Sequence, residues 1–213
     1  VGGAGGIKRI QDCGGCFGDT FVVVCGDALI DLDLASVVRK HWQSGAAASI
    51  VVREVAKDRV SNYGVVVCDD SGQIQSFQEK PKTEDALSQL VNTGIYIFEP
   101  EIVDLIPRGI DFDIGGELFP LILEKRLSFN AIKAPFNWID IGQLSDYWEA
   151  NQQMMRGKLR GVQMPGTEVR PKIWAGLNVK VDWDDVRIEG PVYIGSASHI
   201  ESGCQIYGPT WIG

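Results

Sequence analysis

Cysteine, histidine and positive charge are all in short supply in this chain. Five cysteines in 213 residues, scattered at 13, 16, 25, 68 and 204, are too few for a disulfide scaffold. The two histidines, His41 and His199, show no ligand spacing and read as structural or exposed. Twenty Lys and Arg against 28 Asp and Glu leave a formal net charge of −8, which argues against a nucleic-acid-binding surface. An anionic ligand would therefore need a local basic site or a metal ion. No apolar run approaches the ~20 residues that a membrane helix needs, and no secretory signal is visible. A cytoplasmic setting without a membrane is the expectation. With 45% hydrophobic residues the chain has enough apolar material for one good core and a smaller second unit.

From Thr20 to about Asn151 strand and helix patterns alternate, which predicts an α/β sheet domain. Phe21 to Cys25 is a continuous apolar run, as expected of a strand buried on both faces. Asp33 to Gln43 reads as a helix with an aspartate N-cap and Gly45 as its stop. Ala47–Val55, Tyr63–Cys68, Gln73–Gln78 and Asn92–Phe98 read as strands, with a turn over Asp69–Gly72. Pro100–Ile106, Asp113–Lys125 and Leu144–Met155 read as helices. Residues 1–155 are thus one domain, and 156–170, with glycines, a proline and several charges, a linker. From 171 to 213 a repeat takes over: Ile188, Ile194, Ile200, Ile206 and Ile212 fall at an unbroken spacing of six. That period suits a solenoid whose coils have three short faces. One irregular insertion sits at Asp182–Asp185. Cys25, Cys68 and Cys204 occupy strand or repeat positions and read as small buried residues.

Four stretches could carry chemistry. Cys25-Gly26-Asp27 follows a strand, where a carboxylate can hold Mg²⁺ and Gly26 lets the backbone approach a ligand, or Asp27 simply opens a turn. Asp31-Leu32-Asp33 also spells a two-carboxylate metal motif, but Asp33 has a competing role as helix cap, which favours Asp27. Glu79-Lys80-Pro81 ends a strand: Lys80 offers a point charge to a phosphate and Glu79 can accept from sugar hydroxyls, or the pair is a solvated turn. Trp138-Ile139-Asp140-Ile141-Gly142 sets an aspartate between apolar neighbours, where it needs a metal, an amide or a basic partner. Asn92-Thr93-Gly94 and Ser61-Asn62-Tyr63-Gly64 could present hydrogen bonds to a sugar or merely turn. Cys13-Gly-Gly-Cys16 has half the spacing of a zinc or redox site, without a second Cys/His pair, and reads as a loop.

In their order along the chain, Gly26-Asp27, Tyr63-Gly64-Val65-Val66, Glu79-Lys80-Pro81, Asn92-Thr93-Gly94-Ile95-Tyr96 and Trp138-Ile139-Asp140-Ile141-Gly142 resemble the sugar-phosphate nucleotidyltransferases, the NDP-sugar pyrophosphorylases. The opening Gly2-Gly3-Ala4-Gly5 is similar to that family's base-approaching segment, with Gly3 where threonine is usual. The resemblance implies a Rossmann-like nucleotidyltransferase sheet domain followed by the start of a left-handed β-helix of hexapeptide repeats. It implies transfer of a nucleotidyl group from a nucleoside triphosphate to a sugar-1-phosphate, with Mg²⁺ between the phosphates on Asp27 and Asp140. Lys80 would grip the sugar phosphate; Gly64, Glu79, Asn92 and Thr93 would read the sugar; Gly2, Gly3, Gly5 and Gly26 would lie along the nucleotide. Within the family the likeness is strongest to mannose-1-phosphate guanylyltransferases of the cyanobacterial type, implying GTP and mannose-1-phosphate.

The family's glycine-rich basic loop, which cradles the triphosphate, has no counterpart in these residues. The 213 residues alone are therefore expected to turn over little or nothing. Solenoid tails often mediate assembly, so a homo-oligomer is possible. Four other readings stay open: a non-catalytic sugar-nucleotide-binding subunit, a glucose-1-phosphate-type nucleotidyltransferase, an acyltransferase using His199 as base, and a glycosyltransferase using Asp31 and Asp33.

Overall fold

The computed structural model describes residues 2–15 and 17–213; Val1 and Cys16 lie outside them. In chain order the elements up to residue 155 are α1 (Gly3–Asp12), β1 (Phe21–Val24), β2 (Ala28–Ile30), α2 (Leu34–Ser44), β3 (Ala48–Glu54), β4 (Val65–Cys68), β5 (Ile74–Gln78), β6 (Leu90–Phe98), α3 (Glu101–Asp104), α4 (Phe119–Glu124), β7 (Phe129–Lys133), β8 (Trp138–Asp140) and α5 (Leu144–Met155). Contacts divide the chain into two compact units. The first runs from the N-terminus to Gly26 and continues over Leu32–Phe136; the second comprises Asp27–Asp31 and Asn137–Gly213. Residues 137–155, within the domain expected over 1–155, group by contact with the second unit because β2 pairs antiparallel with β8, Ala28 opposite Asp140.

The first unit is an α/β domain on a mixed sheet of order β5-β4-β6-β3-β7, with β1 also paired to β6. β3 and β7 run parallel, while the pairings of β6 with β1, β3 and β4, and of β4 with β5, are antiparallel. Ala48 to Val52 of β3 are all buried, the signature of a central strand covered on both faces. β1 does not share that pattern: Phe21 and Val23 pack on the core while Val22 and Val24 are exposed. An apolar run spells a strand, but only the neighbours decide how many faces are covered. Phe98, Phe119 and Phe129, all fully buried, anchor the core.

Helix α2 begins and ends on the expected residues. The Asp33 carboxylate accepts from the Ser36 N–H at 3.0 Å, and Gly45 closes the helix at φ 62°. His41 on its buried face bonds Ser49 Oγ through Nδ1 at 2.8 Å and Glu99 Oε1 through Nε2 at 3.0 Å, fastening the helix to β3 and to the end of β6. Helix α1 spans residues for which the sequence pattern predicts no element. Ala4, Ile7 and Lys8 form its buried face, and Lys8 Nζ donates to Val103 O at 3.2 Å. The three cysteines expected to be buried are not: Cys25 is exposed, and Cys68 and Cys204 are half-buried. Cys13 is exposed beyond α1, and Cys16 lies outside the described residues.

In the second unit, short strands repeat along the chain and pair in parallel. Ile173 stands beside Val192, 19 residues on, and Val192 beside Thr210, 18 on. Lys180 pairs with His199 and Arg187 with Gln205 in two further parallel pairs. Ile194 and Ile200 are buried, and Ile188, Ile206 and Ile212 pack partly buried against them. Thr167–Arg170, placed in the linker from sequence, is a strand antiparallel to Ile173–Ala175. No helix among the described residues is long and apolar enough to cross a membrane.

Candidate functional site

In the first unit three strand ends meet at one sheet margin. The register sets Val65 opposite Gln78 on β5 and opposite Val91 on β6, so Gly64, one residue earlier, has Glu79 on one side and Asn92 on the other. The Asn92 N–H donates to Gly64 O at 2.8 Å. β6 bulges here: Ile50 pairs with Tyr96 and Val52 with Asn92, leaving Thr93, Gly94 and Ile95 over Val51. Gly94 takes φ 75°, and its N–H is accepted by Asn92 Oδ1 at 2.9 Å. The bulge fixes the Asn92 amide, whose Nδ2 donates to the Tyr96 hydroxyl at 3.0 Å. Burial pushes the Tyr96 phenol up to about 12, so it stays a neutral hydrogen-bonding group.

Glu79 and Lys80 leave β5 side by side and both are exposed. Although the residue as a whole is exposed, partial burial of its carboxyl group raises Glu79 above its ordinary value; Lys80 counters this and the Asp113 charge adds to it. Lys80 has φ 42°, in the left-handed region, and precedes Pro81. A residue before proline is normally driven to extended backbone, so this conformation costs on the order of 1–3 kcal/mol. The strained residue thus stands next to Glu79 at the same sheet margin as Asn92. Thr93 is different from its neighbours: it is buried, and its hydroxyl donates to Val51 O at 2.7 Å. That hydroxyl fastens the bulge to β3 rather than facing a ligand.

Among the expected nucleotide-lining glycines, Gly2 caps α1 and Gly3 and Gly5 lie in its first turn. A Cβ on Gly2 would stand 2.6 Å from Phe112 O, and one on Gly3 3.1 Å from Ile114 Cδ1, while Gly5 N–H donates to Phe112 O at 3.0 Å. These glycines admit the chain's own residues 112–114. A Cβ on Gly26 would meet nothing within 4 Å.

In the second unit Asp27 and Asp140 come to one end of the β2–β8 ladder, from positions more than 100 residues apart in sequence. Ala28 is directly opposite Asp140, and the Ile141 N–H donates to Asp27 O at 2.9 Å. Asp27 is exposed and Asp140 half-buried. Two carboxylates are hard oxygen donors of the kind Mg²⁺ takes when substrate phosphates and water complete its shell. No group of three or more His, Cys, Asp or Glu stands together as a metal cluster among the described residues.

The competing pair Asp31 and Asp33 is committed elsewhere. Asp33 caps α2, and Asp31 accepts from Asn137 N at 2.6 Å, Asn137 Nδ2 at 2.7 Å and Arg160 N at 3.0 Å. Burial works to raise the Asp31 carboxyl, but these donors outweigh it and leave it below the usual aspartate value. A lowered folded-state value contributes stability that is complete above the unfolded pKa of about 3.9 and fades as pH falls through the lower folded one. Asp31→Asn should therefore destabilise the second unit at neutral pH, and the gap from the parent should close below about pH 4. Urea melts at pH 7 and pH 3 check this; a gap independent of pH would remove the ionised clamp.

Residues 1–157 match the Nucleotidyl transferase family, and the chain belongs to it. It is 52% identical over all 213 residues to UTP–glucose-1-phosphate uridylyltransferase of Synechocystis, covering 55% of that protein. It is 38% identical over 133 residues, 61% of the chain and 34% of the relative, to mannose-1-phosphate guanylyltransferase catalytic subunit beta of Xenopus tropicalis. The chain thus spans about half the length, or less, of these curated relatives. Among solved structures it resembles HddC of Yersinia pseudotuberculosis complexed with GMP-PN, with TM-score 0.56 and 26% identity over 70% of the chain and 61% of that structure. UDP-glucose pyrophosphorylase complexed with UDP-glucose shares the fold at TM-score 0.58 and 24% identity, over 70% of the chain and 60% of that structure.

Proposed function

We propose that this chain forms part of an enzyme that joins a nucleoside triphosphate to a sugar-1-phosphate. A phosphate oxygen of the sugar-1-phosphate bonds to the α-phosphorus, the bond from that phosphorus to the bridging oxygen breaks, and pyrophosphate leaves with the electron pair. The observation that carries the reading is the strand-end cluster of Gly64, Glu79, Lys80 and Asn92 in a chain that belongs to the nucleotidyl transferase family. Phosphoryl-type transfer is mostly positioning and charge neutralisation, and the residue types suit those tasks. Lys80 supplies a cation for the sugar phosphate. Glu79 and the Asn92–Tyr96 pair supply acceptors and donors for hydroxyls. Asp27 and Asp140 would hold Mg²⁺, which when bound neutralises charge on the phosphates.

The first substrate pair to try is UTP with glucose-1-phosphate. The 52% identity over the whole chain to a uridylyltransferase outweighs the shorter, 38% match to a mannose-1-phosphate guanylyltransferase. That revises the expectation of GTP and mannose-1-phosphate. The three faces of parallel strands at 18- and 19-residue offsets support a hexapeptide β-helix following the sheet domain. The deciding assay is pyrophosphate release by the complete gene product with Mg²⁺ and a panel of nucleotide and sugar-1-phosphate pairs. Release with UTP and glucose-1-phosphate supports the full reading; release with another pair keeps the chemistry and changes the substrate. A folded protein silent on every pair sinks the proposal in favour of the non-catalytic binding subunit.

Lys80→Ala is expected to raise KM for the sugar-1-phosphate by on the order of 10-fold or more, since hydrogen bonds to charged groups contribute about 1.5–3 kcal/mol. KM for the nucleotide should change far less. Equal increases for both substrates would show that Lys80 shapes the loop rather than holding the sugar phosphate.

A further inference from the structure

The Glu79 carboxylate stands in a gap that two glycines from different segments leave open. A Cβ on Gly64 would run into the Phe77 ring and come within 3.3 Å of Glu79 Oε2. A Cβ on Gly115 would come to 2.9 Å from the same oxygen and 3.3 Å from Phe77 Cε1. Neither glycine has a positive φ, so the requirement is for room and not for an unusual backbone. Gly115 belongs to a π-helical turn, Ile114–Leu118, leading into α4. The turn is closed by Leu118 N–H to Asp113 O at 2.9 Å. A reciprocal pair pins its start: Gly116 N–H to Asp113 Oδ2 and Asp113 N–H to Glu117 Oε2, each 2.7 Å. Ile114 and Leu118 are buried and anchor it in the core.

A π turn is rare and is found frequently at functional sites. Here it presents a residue without a side chain to the one carboxylate at the strand-end cluster. The adjacent glycine makes the comparison sharp, because a Cβ on Gly116 would meet only Asp113 Oδ2, at an ordinary 3.5 Å.

We propose that Gly115 is a positioning residue for sugar-phosphate binding. The π turn holds open the space in which Glu79 keeps the orientation that meets the sugar hydroxyls. This turn, far in sequence from the recognisable motifs, is then one of the elements that decides how tightly a given sugar fits. The proposal rests on the reading of Glu79 given under the proposed function.

The test is steady-state kinetics on the complete gene product carrying Gly115→Ala, Gly116→Ala or Glu79→Gln, with each substrate varied separately and thermal midpoints recorded. Displacing a binding group by about 1 Å can cost up to 10²-fold, so Gly115→Ala should raise KM for the sugar-1-phosphate about 10-fold. Its nucleotide KM should match that of Gly116→Ala, whose sugar KM should equal the parent's. Equal sugar KM values for the two alanine variants overturn the proposal. If Glu79→Gln leaves the sugar KM unchanged in an active enzyme, the reading of Glu79 fails first and takes the proposal with it. A strong Glu79→Gln effect beside a silent Gly115→Ala overturns the positioning role alone.

Should Gly115→Ala not fold, Asp113→Ala decides. It removes the carboxylate that accepts from the Gly116 N–H and so unpins the start of the turn without adding a side chain to the gap. KM for the sugar-1-phosphate should then rise, with the nucleotide KM unaffected. An unchanged sugar KM in the folded variant overturns the proposal.

Discussion

Asp27→Asn and Asp140→Asn are each expected to lower the rate of pyrophosphate release by on the order of 10²-fold or more. A metal that neutralises phosphate charge contributes several kcal/mol in the transition state, and each 1.36 kcal/mol is tenfold in rate. The effect should be large because this chain has little to replace it. It carries a net charge of −8, and Lys80 is a single cation on a strained loop. The β2–β8 pairing and the Ile141-to-Asp27 hydrogen bond run through backbone atoms, so thermal midpoints recorded beside the rates let the loss be read per folded molecule. Asp31 gives the contrast: its carboxylate is spent on Asn137 and Arg160, so Asp31→Asn should lose stability with little loss of rate per folded molecule. Activity titrated against Mg²⁺ in the three variants separates the roles. Unchanged turnover and unchanged Mg²⁺ dependence in Asp140→Asn would take the metal away from this ladder end.

What the sequence made legible was mostly local. Asp33 and Gly45 announce α2 because a cap and a left-handed stop act within a few residues of the helix they bound. Leu144–Met155 shows its helix by spacing alone, and the six-residue isoleucine period anticipates strands that pair in parallel. Long-range facts left no such trace. Nothing local tells Asp27–Asp31 that it will pair with residues 138–140, so the grouping of these segments by contact leaves no trace in the sequence. Helix α1 was hidden by its glycines, which lower helix propensity by about 1 kcal/mol each; its formation depends on tertiary burial of Ala4, Ile7 and Lys8. The site shows the same limit. Glu79, Lys80 and Asn92 could be named from motifs, but Thr93 was grouped with Asn92 because only the bulge reveals which of the two turns inward. Gly115 carried no motif at all, and its place beside Glu79 is visible only once the π turn is folded.

Phe119→Ala should be among the most damaging single changes to the first unit, lowering its stability by about 3–5 kcal/mol. The ring is fully buried and touches three others, with centroids 5.1 Å from Phe77, 5.4 Å from Tyr96 and 5.1 Å from Phe129. The first two contacts are edge-on, the geometry in which aromatic pairs add about 0.5–1.5 kcal/mol beyond burial. Domain stabilities are typically about 5–15 kcal/mol, so the loss would bring the unit close to unfolding. The consequence should reach the strand-end cluster before the fold is lost. Phe77 walls the gap in which Glu79 stands, and the Tyr96 hydroxyl accepts from Asn92. A cavity behind both rings lets each settle inward, which loosens the two groups assigned to the sugar. Urea unfolding should therefore show the stability loss, and KM for the sugar-1-phosphate should rise under conditions where the variant is still folded. A loss below about 1 kcal/mol would mean that the neighbouring rings close the cavity unaided, and a sugar KM that held steady while stability fell would separate the core from the site it supports.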